Sequence, residues 1–242
     1  MLNWMNKGLW TGYCCITLLL SVALSWHLNA QVNFLYPLWY RVLHIDQTIE
    51  KSAPNHRYKK SFDQTTQQER RRLFAQIVYA VQHAGKGLTD IKYHDVNGKQ
   101  IDTLLTQSEI THLQDVSRLI EKINWFSFFL LVIALLLMAL LILFRCSMPA
   151  LRTLFSIVFA IIILFSVAVL IGGAKHFFYW LHTVVFPADH QWFFYYEDSL
   201  MSMLMKAPVL FAPIAVQLCI LALTIWSSHL LLLKRWSVFT SA

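Results

Sequence analysis

Apolar and polar positions divide this chain into blocks. Apolar runs occupy residues 8–30, 124–145, 153–172 and 207–233. Each is long enough to cross a hydrocarbon core of about 30 Å at about 1.5 Å of helix rise per residue. A polar segment, 31–123, separates the first run from the second. A second polar segment, 173–206, separates the third from the fourth; it is too polar to cross a membrane and too aromatic for an ordinary loop. The pattern predicts a mainly α integral membrane protein. It has four transmembrane helices, an extracytoplasmic domain between helices 1 and 2, and an interfacial helix after helix 3. A cleaved signal peptide is the alternative for the first run. Leu28-Asn29-Ala30 is a poor cleavage sequence and the run is long for a signal core, so an uncleaved span is expected.

Finer signals lie within the blocks. Segment 33–43 is aromatic and reads as interfacial, and a loop is expected through Pro54-Asn55. Thr66 and Glu69 form a capping box before Leu73, Phe74, Ile77, Val78 and Val81 at helical spacing, with Gly85 as the stop. Asn97-Gly98 reads as a turn between extended pieces at 90–96 and 99–103. Thr106 and Glu109 form a second capping box. The helix that follows carries His112 and Asp115 and runs on into the second span. If it were straight, His112 would stand about 20 Å beyond Trp125, so a bend is expected at Ile123-Asn124 if His112 is to meet a group at the interface. After Gly172-Gly173, the residues Lys175, His176, Tyr179, His182 and Thr183 make a polar stripe, with Phe178 and Trp180 among the residues opposite, until Pro187.

Composition sharpens the class. The chain is 57% hydrophobic and 14% charged with mean hydropathy +0.51, too apolar for a typical soluble domain. The net charge of +7 is not a nucleic-acid signal, because residues 31–123 hold 13 Lys/Arg against 10 Asp/Glu. The dense run Arg70-Arg71-Arg72 reads as a solvated helix face. Lys7, Arg145, Arg152, Lys234 and Arg235 fall on one side of the membrane without an acid, which places both termini in the cytoplasm. Cys14, Cys15, Cys146 and Cys219 lie in or beside apolar runs without metal spacing, so neither disulfides nor a metal are expected. No cofactor is expected either.

Candidate chemistry rests on few residues. His112 and Asp115 lie three apart on one helical face. A carboxylate there could fix the imidazole tautomer and leave the other ring nitrogen basic. His182 sits near headgroup depth on the polar stripe. Both also have plain structural readings, as a solvated pair and an interface anchor. His190, past Pro187 and off the stripe, is expected to matter little, and His229 reads as an interfacial residue. There is no GxSxG, HExxH, phosphate loop or CxxC, so serine-hydrolase, zinc-protease and nucleotide chemistry lack a motif.

LTQSEITHLQDV (105–116), WLHTVVFP (180–187) and the pattern from Trp192 to Leu200 together resemble the bacterial lipoprotein intramolecular transacylases and their integral-membrane relatives. The resemblance covers most of the chain. It implies an enzyme of the bacterial cytoplasmic (inner) membrane that moves an acyl chain from a diacylglyceryl group to the α-amine of the same N-terminal cysteine. The partners would be a diacylated lipoprotein N-terminus and membrane lipid, and the product a lyso-form lipoprotein. The family's two functional histidines would fall on His112 and His182. His112 is then the expected base, oriented by Asp115, with Tyr179, Trp192 and Asp198 shaping the pocket. The chain departs from the family pattern after Asp198, where a Met-rich stretch, 199–207, precedes Pro208. Two alternatives stand beside this reading. One is another lipid-acyl hydrolase or acyltransferase on the same scaffold. The other is a non-enzymatic envelope protein that binds a partner through its outer domain, for which His112 and His182 would lie far apart.

Overall fold

A computed structural model describes residues 2–235; the two chain ends, expected in the cytoplasm, fall on residue 1 and residues 236–242, outside the described residues. In chain order the elements are α1 (Leu2–Gln31), α2 (Tyr36–Val42), α3 (Ile45–Ser52), α4 (Gln67–Gln82), β1 (Lys92–His94), β2 (Gln100–Thr103), α5 (Gln107–Leu143), α6 (Leu151–Gly172), α7 (Ala174–Val185), α8 (Leu200–Leu204) and α9 (Phe211–Arg235). The chain splits into two compact units. The first holds Met1–His27, Ile123–Phe177 and Gln217–Ala242; the second holds Leu28–Lys122 and Phe178–Val216.

The first unit is apolar. Helices α1, α5, α6 and α9 are each long and apolar enough to cross a membrane. The run of α6 leaves Leu164, Leu170 and Ile171 72%, 77% and 83% exposed. A helix apolar all round and exposed to this extent needs lipid as its solvent. The core joins Trp10, Tyr13 and Cys14 of α1 to Ala134 and Leu141 of α5 and to Trp226, Leu230 and Leu233 of α9. Polar side chains in it find partners on neighbouring helices, as hydrocarbon surroundings favour. The Tyr13 hydroxyl meets His229 Nε2 at 2.8 Å, and Trp226 Nε1 donates to the Cys14 carbonyl at 3.1 Å. His229, half-buried, thus joins α9 to α1 through its ring.

The expected break at Ile123-Asn124 does not occur; α5 is one helix of 37 residues. Asn124 could break a helix only by competing for its backbone bonds. Its side-chain oxygen instead meets His27 Nε2 at 3.0 Å, so the competition is removed.

The second unit, which holds the polar segments of the chain, is aromatic within. Tyr36 stacks on Phe74 with centroids 3.9 Å apart, and its hydroxyl donates to the Leu204 carbonyl at 2.7 Å. The stretch expected as a loop up to Pro54-Asn55 is largely helical. His44 turns the chain in the left-handed region and α3 follows, burying Ile45 and Ile49. The turn at Asn97-Gly98 forms, and β1 pairs antiparallel with β2.

Helix α4 ends where Gly85, at φ +72°, donates its N–H to the Ala80 carbonyl at 2.8 Å. This is the six-to-one bond of a left-handed stop, with Ala84, at φ +56°, in the first left-handed position and Gly85 in the next. Its capping box is half formed. Thr66 accepts from the Glu69 N–H, but the Glu69 carboxylate turns to Arg72 and His94 and so ties α4 to β1. The second box closes both ways, Glu109 accepting from the Thr106 N–H and Thr106 from the Glu109 N–H.

The arginine run is not wholly a solvated face. Arg70 is only 5% exposed and donates to the Tyr40 hydroxyl, the Thr65 hydroxyl and the Asp63 carbonyl. A buried guanidinium is tolerated because its fork of donors is satisfied.

Candidate active site

His112 stands on the second turn of α5, just past the closed cap, within the polar unit rather than the apolar length of that helix. His182 stands on the last turn of α7. Their ring centroids are 6.2 Å apart and the planes tilt by 33°. Both histidines belong to the second unit. The two rings therefore meet within this unit, and α5 continues unbroken beyond it through Ile123-Asn124.

Aromatic side chains wall the pair. Phe186 meets His112 edge-on at 4.9 Å and lies 5.3 Å from His182. Phe194 lies 6.1 Å from His112. Trp192 lies 4.9 Å from His182, with Tyr179 5.6 Å behind it. Phe178 lies 4.0 Å from His182, so it shares the histidine's face of α7; four residues bring two side chains nearly above one another. The stripe drawn from the sequence placed Phe178 opposite.

The surroundings set the charge of the pair. Burial pushes His112 down to about 4, the neighbouring His182 pushes the same way, and Asp115 offsets part of this. Burial also lowers His182, against the bond its ring makes to the Phe178 carbonyl. Both imidazoles are neutral at neutral pH. The Phe178 carbonyl can only accept, so the 2.8 Å contact with Nδ1 fixes the proton on that nitrogen and leaves Nε2 of the neutral ring as the lone-pair nitrogen.

The supporting acids are placed differently from the sequence expectation. Asp115 Oδ2 accepts from His190 Nδ1 at 2.5 Å and Oδ1 from Arg118 at 3.2 Å; among the described residues none of its hydrogen bonds goes to His112. The expected Asp115–His112 dyad is therefore not made, and a one-turn spacing on one helix is satisfied here by other partners. Asp198 faces Arg57, whose Nη1 lies 3.3 Å from its carboxylate. That contact and the bond from the Arg57 N–H to the Glu197 carbonyl hold the end of the aromatic segment to the chain after α3. Among the described residues no three His, Cys, Asp or Glu side chains cluster to hold a metal ion. Sequence reasoning missed His190 as the partner of Asp115, and Phe186 and Phe194 as neighbours of the pair. The dense aromatics of 192–196 were the available signal for the last of these.

Four apolar helices of spanning length and two facing neutral imidazoles in an aromatic pocket define an integral membrane protein suited to acid–base chemistry. The sequence model of the lipoprotein intramolecular transacylases, Lit, matches residues 11–207, and the chain belongs to that family. Its activity is the family's, an intramolecular acyl transfer that gives a lyso-form lipoprotein. Among solved structures, an in meso structure of the membrane-integral transacylase Lit from Bacillus cereus, carrying a point mutation, is similar at a TM-score of 0.59. The identity is 16%, over 96% of this chain and 94% of that one, so this likeness speaks for the fold. No curated protein matches the chain.

Proposed function

We propose that the substrate is the diacylglyceryl-cysteine N-terminus of a lipoprotein and that the two histidines divide the work of moving its acyl chain. The carrying observation is the pair of neutral rings 6.2 Å apart, one with its tautomer fixed. Amine and ester belong to one molecule, so proximity supplies much of the rate. The α-amine attacks the ester carbonyl. His182 Nε2 takes a proton from the attacking nitrogen and returns it to the glycerol oxygen as the carbon–oxygen bond breaks. His112, held neutral by burial, donates a hydrogen bond to the carbonyl oxygen as it becomes an oxyanion. An amide forms, a glycerol hydroxyl is freed, and no atom is gained or lost. Fixation of the His182 tautomer favours this assignment over His112 as the base.

Phe178, Phe186 and Trp192 give the acyl ester apolar walls, and Tyr179 backs Trp192. Asp198 acts through Arg57, on the segment rather than on the rings. The charge distribution of the short connections supports the inner membrane with the polar unit outside. The test is fragmentation mass spectrometry of a diacylglyceryl lipopeptide incubated with membranes that contain the protein. The total mass stays constant while one acyl chain moves from glycerol to nitrogen. An unchanged fragment pattern would sink the proposal.

A further inference from the structure

The segment after Pro187 has almost no regular structure before α8, yet it carries Trp192 and Phe194 against the two histidines. Its backbone bonds near the rings are local, such as His190 N–H to the Pro187 carbonyl at 3.1 Å. Beyond the bond from the Arg57 N–H to the Glu197 carbonyl near its end, side chains hold it. At its start, His190 Nδ1 meets Asp115 Oδ2 at 2.5 Å. At its end, the Ser199 hydroxyl donates to Glu109 Oε1 at 2.5 Å, with both residues fully buried. Glu109 lies three residues before His112 and Asp115 three residues after it on the same helix, so both fall on the helical face of His112.

We infer that residues 190–199 form a strap bolted across α5 one turn on either side of His112, with His190 and Ser199 as positioning residues that set the aromatic wall around the histidine pair. The two carboxylates flanking His112 hold this wall in place and take no proton from the substrate. The Ser199 bolt is also structural, since its oxygen caps α8 by accepting from the Ser202 N–H at 2.9 Å. The His190 bolt is half-exposed and carries no such second duty, so it is the one to test. This role rests on the transacylase mechanism above for its effect on rate, but not for its effect on the strap.

The experiment uses the full-length protein in lipid nanodiscs with a diacylglyceryl lipopeptide as substrate. His190→Ala is expected to raise KM by about tenfold and lower kcat/KM on the order of 10- to 100-fold, the usual cost of small misplacement at a reacting centre. His190→Asn, whose amide nitrogen can donate from near the position of Nδ1, should recover most of that loss. Asp115→Ala combined with His190→Ala should be no worse than the poorer single variant, because both remove one bond. A merely structural role would lower the folded fraction, and with it the apparent kcat, at unchanged KM. Equal impairment of the Ala and Asn variants with a parallel loss of folded protein would therefore overturn the inference, as would wild-type kinetics in His190→Ala. Amide hydrogen exchange reads the strap without the reaction. Faster exchange confined to 188–196 in His190→Ala is expected, and unchanged exchange overturns the inference. Were the wild-type protein to leave the lipopeptide unconverted, the mechanism would fall and the exchange measurement would still decide the strap.

Discussion

His182 donates its Nδ1 proton to the carbonyl of Phe178, one turn back on α7, at 2.8 Å. A backbone carbonyl in a helix cannot turn away, so the ring is held in one tautomer and one orientation before any substrate arrives. That is the preorganisation an acid–base catalyst needs, obtained from the main chain and not from a carboxylate.

Loss of either ring should therefore be costly. His182→Ala and His112→Ala are each expected to slow acyl migration by about 100-fold or more. The double variant should lose far less than the product of the two, because groups acting in one step are not additive. Fragmentation of the lipopeptide product over time measures this. Full conversion by His112→Ala would remove it from the reaction.

Burial of His112 has a consequence for acid stability. Unfolded, the ring binds a proton below its ordinary value of about 6.5. Folded, it waits until about 4. Between these values the unfolded chain holds more protons, so stability falls as pH falls through this window and is unaffected above it. His112→Phe should flatten the decline. Thermal midpoints of the two proteins in detergent between pH 7 and 4.5 provide the measurement, and parallel curves would contradict it.

Arg70 makes a separate prediction about the polar unit. Its three donors end on Tyr40, Thr65 and Asp63 inside the core. Arg70→Ala leaves those groups unsatisfied and should destabilise the unit by roughly 2–4 kcal/mol. Arg118→Ala, on a side chain 65% exposed, should cost within about 1 kcal/mol. Denaturant titration followed by proteolysis of residues 31–122 separates the two.

Orientation is testable with single cysteines in a cysteine-free background. A membrane-impermeant reagent should label Asn97→Cys in intact cells and Ala150→Cys, in the exposed connection before α6, only after lysis. Labelling of the second in intact cells would invert the topology.

The lesson for reading such sequences is local. The spans, the hairpin at Asn97-Gly98, the Gly85 stop and the Thr106 cap were legible because each depends on neighbours in sequence. The convergence of His112 and His182 came from the family resemblance, not from any pattern of spacing. Asp115 shows the limit. An aspartate one turn from a histidine is free to bond outward, and its partner here, His190, is 75 residues away in the chain. Arg70 was misread for the same reason, since a run of three arginines does not say which one turns inward. Asn124 was misread in the opposite sense. A residue able to break a helix was taken to do so, while its side chain was already occupied by His27.

The bond between Tyr13 and His229 joins the first long helix to the last. During synthesis His229 is made 216 residues after Tyr13. Until α9 has left the ribosome and entered the bilayer, the hydroxyl of Tyr13 and the ring of Trp10 lack their final neighbours. Assembly of the apolar unit therefore waits for α9, and a chain stalled before residue 211 holds an unfinished bundle whose first helix is still available to a partner. Supplying α9 as a separate polypeptide should let such a chain complete itself.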